Sequence, residues 1–240
     1  MIKIENVVLP SPEQWEAVIR GMRNPKNSWD RSDSYTTYIE NPQTENVAEF
    51  EFFLGEKDET LMNQLAKGGP VHAKYRRMIP VYLDITRPLY WWKEFDTYKI
   101  GTVANSCSTM HKIHAKEFEE SDFSFEHVCT LPGEVMLYRD VYESPYHYGS
   151  VITHTINALN AARDGYLKTK DKKYWWQMIQ LLPSSYNQKR TVKLNYEVLV
   201  NIYNSRRGHK LDEWHDFCKW IESLPYSELI TGKAKEDEID

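Results

Sequence analysis

Apolar and polar residues change period several times along the chain, and each change marks an element. Residues 2–9 (IKIENVVL) alternate up to Pro10 and predict a short strand. Ser11-Pro12-Glu13 then opens a helix, with a hydroxyl for the cap, proline in the first turn and an early acid. Trp15, Val18, Ile19 and Met22 follow at helical spacing. Residues 24–47, rich in Asn, Asp, Ser, Thr, Pro and Tyr, predict a long loop. Asp58 to Ala66 reads as a capped helix ending near Gly68-Gly69. From Ile79 to Ile85, Ile79, Val81, Leu83 and Ile85 alternate with Pro80, Tyr82 and Asp84, a strand with one buried face. Pro88 opens a helix that runs to Lys99 and turns at Gly101.

Beyond that turn the pattern becomes mostly helical. Residues 109–119 read as a helix, and 121–150, rich in Pro, Tyr and His, as an insertion or lid. Helical patterns cover 151–168 and 171–182. A third, Leu194 to Ser205, carries Leu194, Val198, Leu199 and Ile202 on one stripe, and a fourth, Leu211 to Leu224, carries Trp214, Phe217, Cys218 and Ile221. The two aromatic triplets at 90–92 and 174–176 lack matching flanks, so no repeat is read. The sum is an α+β chain with a helix-rich C-terminal half, expected to form one domain over 1–232 with a charged, frayed tail at 233–240.

Composition narrows the function classes. The 240 residues are 13% aromatic, far too many for a solvating disordered chain. No window approaches the roughly 18 consecutive apolar residues of a membrane span. The start lacks a basic and an apolar signal region, so a cytoplasmic protein is expected. Cys107, Cys129 and Cys218 are odd in number and scattered, and read as reduced thiols. A net charge of −5 argues against direct nucleic-acid binding, though local basic clusters remain able to grip a nucleotide phosphate.

Candidate chemistry is sparse. There is no GxGxxG and no GK followed by Ser or Thr, so the glycine-rich phosphate loops are excluded. His111, His114 and Glu117 share one face if 109–119 is helical, a spacing that suits a metal but more commonly marks a solvated face, and no metal is expected. Cys107, four residues before His111, is a candidate nucleophile or an incidental thiol. The Trp pairs are candidate core or interface anchors, or stacking platforms for a flat heterocycle. Lys189, Arg190, Arg206 and Arg207 are read into the helical C-terminal third, with the amides Asn195 and Asn201. Such groups are costly to bury without partners, which makes a polar ligand one reason for them.

Two blocks resemble the flavin-dependent thymidylate synthases, the ThyX family. The first runs from His72 through the strand Val81-Leu83-Ile85 and the following helix to about Met110. The family's Arg-His-Arg triplet falls on Thr97-Tyr98-Lys99, with seven residues before the family's serine position, Cys107. The second block is residues 181–217, where Leu182-Pro183, Lys189, Asn195, Leu199, Asn201 and Arg206 fall in the family's register. Within the first block, Glu94 stands for a family Gln, Asn105 for an acid and Thr109 for a phosphate-binding arginine.

The resemblance implies a sheet, antiparallel or mixed, flanked by helices, in a homotetramer. It implies one-carbon transfer to C5 of a pyrimidine deoxynucleotide monophosphate, with FAD as redox cofactor and methylenetetrahydrofolate and NADPH as co-substrates. dUMP is the family substrate, and Glu94 raises dCMP, because a carboxylate accepts from an exocyclic amine. Arg206 is implied as catalytic. His72, Thr97, Tyr98, Lys99, Asn195 and Asn201 are implied at the cofactor, and Glu94, Asn105, Cys107, Thr109, Lys189 and Arg206 at the substrate. The degenerate triplet implies weaker retention of FAD, and opens a second reading as a non-catalytic nucleotide-binding or protein-interaction module on the same fold.

Overall fold

The computed structural model describes residues 3–40, 48–128 and 148–233. Cys129, most of the expected lid and the tail beyond 233 lie outside them. The chain forms two compact units, one from 85–97 and 105–190, the other from residues up to 84, 98–104 and from 191 onward. The class is α+β with a helix-rich C-terminal half, as the periodicity predicts, and the strands are antiparallel, as the family resemblance implies. Four strands, β1 (Lys3–Val8), β4 (Pro80–Pro88), β6 (Asn187–Asn195) and β5 (Val103–Ser106), form one sheet in the order β1-β4-β6-β5.

The unit holding the N-terminal half is built around α1 (Pro12–Arg23). Ser11 caps it in a reciprocal box: its hydroxyl accepts from Gln14 N at 3.4 Å, and the Gln14 side chain accepts from Ser11 N at 2.9 Å. Trp15, Val18, Ile19 and Met22 are buried, the face the spacing predicts. Residues 24–47 are not a loop throughout. Tyr35–Glu40 forms β2, paired antiparallel with β3 (Ala48–Phe53) in the register Tyr35 to Phe53. Its aromatic and β-branched run fits a pleated surface, while the polar residues around it set the loop reading. Phe52 stacks on Trp15 with centroids 5.5 Å apart, which anchors the hairpin.

One carboxylate organises the stretch between α1 and α2 (Glu56–Lys67). Asp58 is fully buried and accepts from Arg23 Nε at 2.5 Å and from the hydroxyls of Ser32 and Ser34 at 2.6 and 2.7 Å. Burial alone raises its pKa, but the serine hydroxyls and Arg23 outweigh it and hold the carboxyl below its usual range. Strand β4 keeps Val81, Leu83 and Ile85 buried, and Arg87 extends the same buried face.

Three helical readings need correction. The helix after Pro88, α3, covers only Leu89–Phe95, because Trp91, Trp92 and Phe95 pack inward and Thr97 Oγ1 donates back to Glu94 O at 2.7 Å. The triplet Thr97-Tyr98-Lys99 therefore follows the helix instead of ending it. Residues 109–116 are turns and bends and 117–119 are irregular, so His111, His114 and Glu117 share no helix face. Lys189 and Arg190 lie on strand β6, not in a helix, and the helix read from Leu194 begins at Tyr196. In β6 the residues Gln188, Val192 and Leu194 alternate inward, and that strand period runs straight into a helical one.

The C-terminal helices keep their expected places: α6 (Tyr196–Arg206), α7 (Asp212–Glu222) and the short α8 (Glu228–Thr231). In the other unit α4 (Tyr148–Thr169) packs on α5 (Lys172–Leu181), around a core that includes Ile113, Phe118, Phe123, Leu159 and Met178.

Replacing Asp58 by Ala strands the buried Arg23 guanidinium, and chemical denaturation is expected to show a loss of roughly 3–5 kcal/mol. A depressed carboxyl stabilises above its unfolded value of about 4 and loses that contribution as pH falls through the folded value. The melting temperature of the wild type is therefore expected to drop below about pH 4. The Asp58→Ala melting temperature should show a shallower acid limb.

Candidate functional site

The structure brings some of the residues singled out in the sequence together in two places, Arg206 with Tyr98 in one unit and Cys107 with Lys189 in the other. The first is built by the junction of β6 and α6. Asn195 ends the strand and caps the helix, its Oδ1 accepting from Val198 N at 3.1 Å. Tyr196 N donates to Ile79 O, which ties the helix start to the approach to β4. Eleven residues of helix then place Arg206 at the end of α6. There Arg206 Nε donates to the Tyr98 hydroxyl at 2.9 Å. Its guanidinium carbon lies 4.8 Å from the Trp214 ring centroid and 5.6 Å from that of Tyr98. Trp214 is fully buried on α7, so the stacking surface is fixed.

The loop carrying Tyr98 is set by Gly101 at φ +86, a backbone conformation that costs glycine little. A Cβ there would lie 3.1 Å from Asn195 Nδ2 and Val198 Cγ2, so the loop approaches the helix start closely. Lys99 and Asn201 are exposed. His72 is also exposed and sits in the turn after α2, its ring 3.0 Å from where a Cβ on Gly68 would stand.

The second cluster lies where β5 continues past its last residue along β6. Cys107 N donates to Lys189 O at 2.9 Å, and Gln188 Nε2 donates to Cys107 O at 2.8 Å. Two positions separated by more than eighty residues, Cys107 and Lys189, are thereby adjacent. Asn105 is exposed on β5, and Thr109 and Glu94 are partly exposed. Thr97 uses its hydroxyl on the end of α3. Beside Lys189, Arg190 is locked in place: its guanidinium carbon is 4.2 Å from the Trp92 centroid, and it donates to Asp96 at 2.7 Å and Gln188 at 2.9 Å. That makes Arg190 a structural cation and Lys189 the one the family register points to.

The remaining candidates are accounted for by packing. Trp91 and Trp92 are buried, meeting edge-on at 4.9 Å, and Trp92 Nε1 donates to Gln188 O. Burial pushes the Cys218 thiol up to about 11, which leaves it a core group. His114 lies edge-on to Tyr166, and among the described residues no three His, Cys, Asp or Glu gather as a metal would require. Sequence reasoning missed Tyr98 and Trp214 as partners of Arg206, because that pairing joins a loop to two helices more than a hundred residues away.

Comparison with solved structures places this architecture. The ThyX of Helicobacter pylori, solved with FAD and dUMP, superposes with a TM-score of 0.58 over 96% of both chains at 14% identity. A second structure of that enzyme, also complexed with FAD and dUMP, gives 0.58 at 16% identity over the same shares. The fold is that of ThyX. A UMP/dUMP methylase, PolB of Streptomyces cacaoi, bound with 5-Br dUMP, shares the ThyX fold at a TM-score of 0.57 and 16% identity, over 97% of this chain and 95% of that one. No family model and no curated protein matches the sequence.

The ThyX fold raises the question of FAD, and the residues present suit it in kind. The cap uses Oδ1 of Asn195, and its amide nitrogen lies against the Gly101 turn, where a Cβ would stand 3.1 Å away. Lys99 supplies an exposed cation and Asn201 an exposed amide. The cation count is lower than the Arg-His-Arg of the family resemblance provides.

Asn195→Ala is expected to cost about 1 kcal/mol through the lost cap, measured by denaturant unfolding. Asn195→Asp keeps the acceptor and should retain most of that stability.

Proposed function

We propose that the chain is a ThyX-like flavoenzyme acting on a pyrimidine deoxynucleotide monophosphate, dUMP or dCMP, with FAD as redox cofactor. The observation that carries this reading is Arg206 held at the end of α6 by Trp214 and Tyr98, in the register of the family's substrate arginine. In this reading Arg206 faces the pyrimidine and stabilises the negative charge that develops as C5 becomes nucleophilic. Lys189, beside Cys107, holds the phosphate as a point charge, without the bidentate fork of arginine. Asn105, Cys107 and Thr109 complete the substrate contacts, and Glu94 accepts from an exocyclic amine if the base is cytosine. Asn195, Asn201, His72, Tyr98 and Lys99 orient the flavin, with Thr97 at the same loop. FAD when bound supplies the hydride chemistry, with methylenetetrahydrofolate as one-carbon donor and NADPH as reductant. A homotetramer is part of the reading, because the family builds each site from several subunits.

A second reading, a nucleotide-binding module without catalysis, is favoured by one observation. Thr97 spends its hydroxyl on its own helix and Tyr98 engages Arg206, so two triplet positions are already committed within the chain.

Titration calorimetry with dUMP tests the substrate. Wild type is expected to bind at one site per chain, and Arg206→Ala to lose roughly 2–4 kcal/mol of affinity with its fold intact by circular dichroism. Full affinity in the variant contradicts the register of residues 181–217. Absorbance separates the two readings. Added FAD should yield a yellow complex that survives desalting, and Thr97→Arg, Tyr98→His, Lys99→Arg together should tighten it, whereas no uptake by either form leaves the binding module. Light scattering should give about four times the chain mass of 28.4 kDa, and a mass of one chain rules out the assembly.

A further inference from the structure

We infer that Tyr98 is a positioning residue for Arg206, a role that rests on the nucleotide reading of Arg206 above. The family resemblance places Tyr98 at the flavin. The geometry gives its hydroxyl another task, as acceptor of Arg206 Nε–H at 2.9 Å. An arginine at a helix end has four rotatable side-chain bonds, and freezing them on binding lowers affinity. Here the guanidinium is fixed beforehand from two directions. Trp214, immobile in the core, supplies a face 4.8 Å away, and the Tyr98 hydroxyl fixes the edge that carries Nε. The Tyr98 and Trp214 rings meet at 67° with centroids 6.3 Å apart, and the guanidinium carbon lies over both, so two inclined faces flank the cation. Gly101, at φ +86 and close against Asn195 and Val198, holds the Tyr98 loop to the same helix that carries Arg206.

The clamp also gives a reason for the residue type at position 98. The histidine that the family triplet carries there accepts through a ring nitrogen only when neutral, and when protonated it has no acceptor and repels a neighbouring guanidinium. Tyrosine accepts the hydrogen bond and adds a ring face 5.6 Å from the guanidinium carbon. In this chain the substrate arginine is thus preorganised by an aromatic pair.

A double-mutant cycle read by dUMP titration tests the role. Tyr98→Phe keeps the ring and removes only the acceptor, and should weaken dUMP binding about tenfold while leaving the melting temperature within a degree or so of wild type. In an Arg206→Lys background the same substitution should change affinity by less than about twofold, because lysine has no Nε–H for Tyr98 to orient. A merely structural tyrosine would show equal effects in both backgrounds. Unchanged dUMP affinity in Tyr98→Phe, with Arg206→Ala still crippled, overturns the positioning role alone. No dUMP binding by the wild type overturns the nucleotide reading on which it rests.

Discussion

The junction at Asn195 is the constraint on which the Arg206 cluster depends. One side-chain oxygen accepts from Val198 N and turns a strand into a helix without a linker. Upstream, the strand fixes which residues face Cys107 across the β5–β6 pairing, and so sets Lys189 beside it. Downstream, the helix fixes where Arg206 emerges, eleven residues on. Gly101 packs against the same cap, which brings the Tyr98 loop to the helix that Arg206 ends. A slip of one residue at the junction would turn every inward residue of β6 outward and rotate Arg206 by about 100° around α6.

The cations beside the substrate candidates divide by how they are held. Arg190 is stacked on Trp92 and hydrogen-bonded to Asp96 and Gln188, so its charge is consumed by structure. Arg206 is stacked on Trp214 and steadied by a neutral hydroxyl. Arg190 thus belongs to the packing around Trp92, and Arg206 is the cation that the proposed function assigns to the nucleotide.

Much of this was legible in the chain, for physical reasons that differ by element. The capping box at Ser11, the alternation of β4 and the stripes of α6 and α7 are local signals, complete within a dozen residues. Strand β2 was not legible, because Tyr35–Glu40 is a short, largely exposed pleated run in a polar stretch, and the hairpin is anchored through Phe52 of its partner strand stacking on Trp15. Strand β6 was hidden by Leu194, which fits both the strand period before it and the helical period after it. The helix expected at 109–119 failed because apolar residues there, Ile113 and Phe118, serve a core formed with α4 and α5 and not a helix face of their own. The family register singles out Lys189, Asn195 and Arg206, but it does not reveal their partners. Cys107 meets Lys189, and Tyr98 meets Arg206, only through pairing across eighty or more residues.

The most direct test is a crystal structure of the protein grown with dUMP. The account predicts density for the nucleotide with its pyrimidine within hydrogen-bonding distance of the Arg206 guanidinium, the arginine still stacked on Trp214. A nucleotide bound away from Arg206, or an Arg206 that abandons Trp214 to reach it, would contradict the account.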